Sequence, residues 1–139
     1  GNDVLLALPQ TYMNRSGQSV SSILKAYQDR EPQLVLVYDD MDVPRGRVRI
    51  RAKGGSGGHL GCQSVVEALG TDEFPRIRVG IGRPPSGIDP VDYVLEPLAE
   101  GDYQELLATC MLAADALECI LSRGLDVAMS RYNAVVASP

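Results

Sequence analysis

Short apolar runs stopped by proline, aspartate or glycine alternate along this chain with stretches of helical periodicity, and any fold must accommodate that alternation. Val4-Leu5-Leu6-Ala7-Leu8, closed by Pro9, is too short for a helix that stands alone and predicts a buried strand. Residues 18–28 then set Val20, Ile23, Leu24 and Tyr27 at helical spacing, with Asn14 or Ser16 available as the cap. Leu34 to Tyr38 is a second apolar run, leading into Asp39-Asp40-Met41-Asp42 and the turn Pro44-Arg45-Gly46. Arg47-Val48-Arg49-Ile50-Arg51 alternates strictly, which predicts a strand with one charged and one buried face.

After a glycine-rich stretch, Gly54-Gly55-Ser56-Gly57-Gly58, a helix is predicted over residues 60–69 and a strand over Arg76 to Gly82. Three prolines make residues 83–90 an irregular loop. A long helix over residues 100–122 is expected to bury Leu106, Leu107, Cys110, Met111, Ala114, Leu117, Ile120 and Leu121, with Gly124 as its stop. A short helix over 126–132 closes the pattern. Alternating strands and helices imply an α/β fold, a three-layer sandwich with a mixed, largely parallel central sheet flanked by helices.

The chain has 139 residues and 45% apolar composition, which suits one domain over residues 1–139 with a sizeable core. No run approaches the roughly 18 apolar residues of a membrane span, and no basic-then-apolar leader opens the chain, so a soluble cytoplasmic protein without membrane contact is expected. Cys62, Cys110 and Cys119 fit neither a CxxC metal pattern nor a disulfide framework and read as small buried apolar groups. The single histidine, His59, is the one imidazole through which any histidine chemistry in this sequence must pass.

Charge is distributed unevenly. Arg45, Arg47, Arg49, Arg51, Lys53, Arg76, Arg78 and Arg83 stand against Glu67, Asp72 and Glu73, so residues 45–83 carry a local +5 in a chain whose net charge is −5. Arg47, Arg49 and Arg51 recur roughly every 6.6 Å along one strand face, a row that either follows a phosphate backbone or guards a sheet edge. The glycines before His59 lie between a strand and a helix, where backbone N–H groups form either an anion-binding nest or a flexible crossover. They complete neither a Walker loop nor GxGxxG, because Leu60 occupies the place of the third glycine.

Asp39, Asp40 and Asp42 stand at the C-terminal rim of a strand, where they could bind a divalent metal, or one could orient a histidine while the others cap a turn. Gln10-Thr11-Tyr12-Met13-Asn14-Arg15-Ser16-Gly17 falls at the same rim. There Asn14 serves either as a helix cap or as an amide that holds a substrate group or a water.

Taken together and in order, Thr11 to Gly17, Tyr38-Asp39-Asp40-Met41-Asp42-Val43-Pro44-Arg45-Gly46, Gly54 to His59 and Arg76-Ile77-Arg78-Val79-Gly80-Ile81-Gly82-Arg83-Pro84 resemble the bacterial peptidyl-tRNA hydrolase family, over about residues 4–133. The resemblance implies an enzyme without metal or cofactor that cleaves the ester between a peptide and the terminal ribose of tRNA. It implies that Asp39 orients a histidine base, that Asn14 contacts the substrate and its water, and that Tyr12 and Met13 line the same groove. It places the substrate's 3′ end near Gly57, Gly58, His59 and Leu60, and the acceptor arm of peptidyl-tRNA on Arg49, Arg51, Lys53, Arg76 and Arg78.

This sequence departs from the pattern twice. The family carries its base histidine in a strand and helix that would precede Gly1, and His59 matches a different family histidine. Leu60 stands where the family commonly has asparagine, and leucine cannot donate that hydrogen bond. Weak activity of the 139 residues alone, a homodimer covering an open sheet, and a noncatalytic RNA-binding module as the alternative are the resulting expectations.

Overall fold

A computed structural model describes residues 3–138 of the chain. Three strands, β1 (Leu36–Asp40), β2 (Val48–Arg51) and β3 (Arg76–Gly80), form one sheet in the order β1-β3-β2. The helices are α1 (Ser16–Ala26), α2 (Leu60–Leu69), α3 (Pro90–Leu95), α4 (Glu100–Arg123) and α5 (Leu125–Tyr132). Contacts gather the chain into two compact units that interleave in sequence, Gly1–Leu36 with Ala52–Pro75, and Val37–Arg51 with Arg76–Pro139. No helix among the described residues is long and apolar enough to cross a membrane.

The sheet is mixed, with one antiparallel and one parallel strand pair among the described residues. β2 runs antiparallel to β3, with Arg49 opposite Arg78 and Ile50 opposite Ile77. β1 runs parallel to β3, because the Leu36 N–H donates to the Pro75 carbonyl at one end and the Ile81 N–H to the Asp40 carbonyl at the other, so both chains ascend together. Alternation along β2 and β3 puts Val48, Ile50, Ile77 and Val79 on one face, all buried, and Arg49, Arg51, Arg76 and Arg78 on the other. Helices α4 and α5 pack on β2 and β3.

An asparagine side chain finishes the edge of the sheet. The Gly80 N–H bonds to the Arg47 carbonyl at 2.8 Å, so residues 49 and 51 face β3 with their N–H and C=O groups and Ile50 points its own away from it. Asn133, just beyond α5, supplies what a fourth strand would. Its Oδ1 accepts the Ile50 N–H at 2.7 Å and its Nδ2 donates to the Ile50 carbonyl at 3.2 Å. Because Ile50 is fully buried, Asn133→Ala strands a donor and an acceptor and is expected to lower stability by about 2–3 kcal/mol in urea unfolding. Asn133→Asp should cost nearly as much, since a carboxylate accepts but cannot donate. A loss below about 0.5 kcal/mol for both would show that water replaces the amide.

In the other unit α1 and α2 cross at Gly17. A Cβ there would lie 2.1 Å from the Ser64 carbonyl oxygen, and the Gly17 N–H donates to Ser64 Oγ at 2.9 Å. Val20, Val65 and Phe74 form the core of this unit, with Leu24, Leu34, Leu36, Val66 and Leu69 packed around it.

Three sequence expectations are corrected. Val4 to Leu8 is not a buried strand: it has no regular structure, and Leu6 and Leu8 are more than four-fifths exposed. A strand exists only when its backbone is paired, and among the described residues the sheet holds β1, β2 and β3 alone. Helix α4 buries Thr109, Ala113, Ala116 and Cys119 and leaves Leu107, Met111 and Leu121 exposed. The sheet selected the stripe of small residues, which allows close approach, and the Thr109 hydroxyl satisfies itself on the Glu105 carbonyl at 2.9 Å. Cys110 is exposed on the same helix, while Cys62 and Cys119 are buried as expected. The irregular loop is present over residues 83–89, and beyond it lies α3, which the sequence reading did not include although its start has a signature: Asp89 Oδ1 caps the Val91 N–H at 2.8 Å, with Pro90 in the first helical turn.

Candidate functional site

Residues of two separate sequence motifs meet in the unit built on α1 and α2. His59 is the N-cap of α2, its Nδ1 accepting the Cys62 N–H at 3.1 Å, so the ring is fixed by the start of the helix. Met13 packs over the first turn beside it: a Cβ on Gly61 would come within 2.6 Å of the Met13 sulfur and 3.0 Å of His59 Cε1. Gly61 is therefore the gap into which thioether and imidazole both fit. Ser16 fixes the Met13 turn, its hydroxyl donating to the Met13 carbonyl at 2.8 Å.

Asn14 lies in the short 3-10 turn Met13–Arg15 that precedes α1. It is not a cap. The N-cap position of α1 falls on Arg15, with no side-chain capping bond. The Asn14 side chain is exposed and makes no hydrogen bond among the described residues. Tyr12 and Leu60 are also exposed, with Lys53, Gly57 and Gly58 at the surface of the same unit. Gly57 and Gly58 have φ of 58° and 86°, and a Cβ at Gly54, Gly55, Gly57 or Gly58 would meet nothing within 4 Å. The loop is thus glycine-rich for its left-handed backbone and leaves open space beside its main chain.

In the sheet unit the three aspartates take three different roles. Asp40 is buried and accepts Arg78 Nε at 2.7 Å on Oδ2 and the Asp42 N–H at 2.7 Å on Oδ1. Asp42 pairs with Arg83. Asp39, half-buried, leaves β1 from the face opposite Asp40. Among the described residues no group of three His, Cys, Asp or Glu side chains is placed to hold a metal ion. Burial opposes the Arg78 charge, but the hydrogen bond and charge of Asp40, with Tyr38 and Asp42 nearby, outweigh it and raise its pKa.

The expected arginine row is only partly available. Arg51 is exposed, and Arg49 is half-buried with one Nη on the Asn133 carbonyl at 2.9 Å. Arg76, assigned to the RNA-facing patch from sequence, is 1% exposed and cannot reach a phosphate from this position. Sequence periodicity put it on the same face as Arg78 but carried no information about what covers that end of the strand.

Arg45 lies outside the site residues that the sequence predicts. It joins the turn after β1 to the start of α4, bonding Asp102 at 2.5 Å and Glu105 at 2.8 Å. The hydrogen bond to Asp102, helped by Glu105 and working against partial burial, raises its pKa. Its signal was the acidic first turn of the long helix, Glu100 and Asp102.

Residues 1–138 match the family model described as Peptidyl-tRNA hydrolase. A peptidyl-tRNA hydrolase of Chloroflexus aurantiacus is 48% identical over 134 residues, which is 96% of this chain and 71% of that relative. One from Symbiobacterium thermophilum is 45% identical over 130 residues, 94% of this chain and 69% of the relative. The crystal structure of peptidyl-tRNA hydrolase from Acinetobacter baumannii superposes with a TM-score of 0.81 at 30% identity, covering 94% of this chain and 66% of that one. The chain therefore spans about two thirds of the length of the solved structure it matches.

Proposed function

The chain belongs to the peptidyl-tRNA hydrolase family, and from that premise we propose that these residues serve hydrolysis of the ester joining a peptide to the terminal ribose of tRNA. In this reading an imidazole takes a proton from water, the hydroxide attacks the ester carbonyl, and the ribose oxygen leaves with a proton. Asp39 orients that imidazole and stabilises its protonated form. Asn14 holds the substrate and the attacking water. Tyr12, Met13, His59 and Leu60 line the groove for the peptide and the 3′ end, with the open backbone at Gly57 and Gly58 beside them. Arg49, Arg51, Lys53 and the accessible part of Arg78 neutralise phosphates of the acceptor arm. Neither metal nor cofactor takes part, and the substrate makes the cytoplasm the site of action. The exposed leucines of residues 5–8 support self-association as a means of covering apolar surface.

The observation that carries this reading is the meeting of Met13 with His59 across Gly61 while the neighbouring Asn14 amide stays exposed and unbonded among the described residues. The N-cap role of His59 supports the further proposal that His59 is not the base, and that the 139 residues alone turn over weakly. Hydrolysis of peptidyl-tRNA, assayed with the 139-residue polypeptide and again with a family amino-terminal segment fused ahead of it, tests both. The fusion should be at least about 100-fold faster, the contribution of a general base. In the fusion, His59→Asn preserves a capping acceptor and should cost less than about tenfold, against the roughly 10²–10⁴ expected for a base. Full activity of the 139 residues, abolished by His59→Asn, would make His59 the base. Salt-sensitive tRNA binding without turnover, even in the fusion, would favour the RNA-binding module.

A further inference from the structure

Every acceptor on residue 40 is committed to the tip of β1. The Asp40 carboxylate holds Arg78 Nε and the Asp42 N–H, while its carbonyl accepts the Ile81 N–H at 3.1 Å and the Val43 N–H at 3.4 Å. These bonds fix the strand end one residue after Asp39 and the turn that follows. Arg78 spends only Nε on Asp40. Its two Nη groups make no hydrogen bond among the described residues, and no buried side-chain nitrogen there lacks a partner, so they reach solvent. Arg78 also stands opposite Arg49 in the ladder, on the face that carries the arginine row.

Building on the proposed function, we infer that Asp40 is a positioning residue with two outputs: it sets the strand tip from which Asp39 projects, and it restrains the guanidinium that Arg78 presents to RNA. The two outputs respond to Asp40→Asn in opposite directions, which a general loss of structure would not produce. An asparagine keeps one oxygen where two were needed, so the tip loosens and turnover falls. It also removes the charge that neutralised Arg78, so the freed guanidinium strengthens phosphate binding.

The test uses the fusion described above, with peptidyl-tRNA for turnover and an acceptor-stem RNA hairpin for binding. Asp40→Asn should lower kcat about tenfold or more, since misplacing a catalytic group carries a cost of that order. The log–log salt dependence of hairpin binding should steepen, by at most the roughly 0.7–0.9 of one full phosphate contact, because the Arg78 charge is no longer offset by Asp40. Arg78→Lys keeps the charge but not the Nε bond; it should leave the salt slope unchanged and lower kcat. An Asp40→Asn variant with kcat within twofold of the parent, or with an unchanged slope, overturns the inference. If that variant does not fold, Arg78→Lys decides, and a kcat within twofold of the parent overturns it equally. Failure of the proposed function reads differently: the unsubstituted fusion then shows no turnover, whether or not it binds RNA, and the inference falls with it.

Discussion

Gly80→Ala is expected to remove cooperative folding of the sheet unit or to destabilise it by about 3–5 kcal/mol, a large share of the 5–15 kcal/mol that holds a domain together. A Cβ on Gly80 would stand 2.0 Å from the Pro44 carbonyl oxygen, 2.9 Å from the Pro44 carbonyl carbon and 2.8 Å from the Arg47 carbonyl oxygen. All three are main-chain atoms, so no side chain can rotate to make room. The turn itself is held tightly: the Arg47 N–H donates to Pro44 at 3.2 Å, and Gly46 supports the reversal with φ of 82°. Moving the turn breaks the Gly80 to Arg47 bond that begins the β2–β3 ladder and disturbs Arg45, which ties the same turn to α4. Urea unfolding followed by circular dichroism measures the loss, with Gly55→Ala as control. At Gly55 a Cβ meets nothing within 4 Å, so the shift there should stay within about 0.5 kcal/mol. A Gly80→Ala loss below about 1 kcal/mol would mean that the turn relaxes freely.

Gly80 also shows where sequence reading ends. Periodicity located β1, β2, β3 and α2 because each is short, strongly patterned and bounded by glycine, proline or charge. The same pattern could not show that a turn lies on Gly80, since that contact joins residues far apart in the chain. The Asp39-Asp40-Met41-Asp42 cluster was legible as chemistry, but its division was not: alternation separates Asp39 from Asp40, and only the position of Arg78 makes Asp40 the structural acid. Arg76 and Arg78 have identical pattern positions and different fates, one sealed and one partly open. On α4, hydropathy favoured the bulky face because it scores transfer from water, whereas the sheet accepted the face that lets a helix come close. Val4 to Leu8 has strand composition, yet composition cannot provide a neighbouring strand.

Under the proposed function the largest effect on chemistry belongs to Asn14. Its side chain neither caps α1 nor bonds elsewhere among the described residues, so its removal takes nothing from the folded state that those residues display. Asn14→Ala in the fusion should therefore move stability by less than about 0.5 kcal/mol. Turnover should respond very differently. A positioned amide that holds the attacking water and polarises the ester is worth about 10²–10³ in rate, the range found when a single donor to a developing oxyanion is removed. Asn14→Asp separates donor from shape: it keeps the size and one acceptor, loses the N–H donor and adds a negative charge where negative charge develops, so its kcat/KM should fall at least as far as that of the alanine variant. Single-turnover hydrolysis of peptidyl-tRNA at subsaturating enzyme, where the rate reads kcat/KM, with thermal unfolding of the same preparations, checks both halves. Retention of more than about a third of kcat/KM by Asn14→Ala would remove the amide from the reaction and leave Met13 and His59 as a packing contact beside α2. A large loss with unchanged unfolding, steeper for the aspartate, would tie the exposed amide to the transition state.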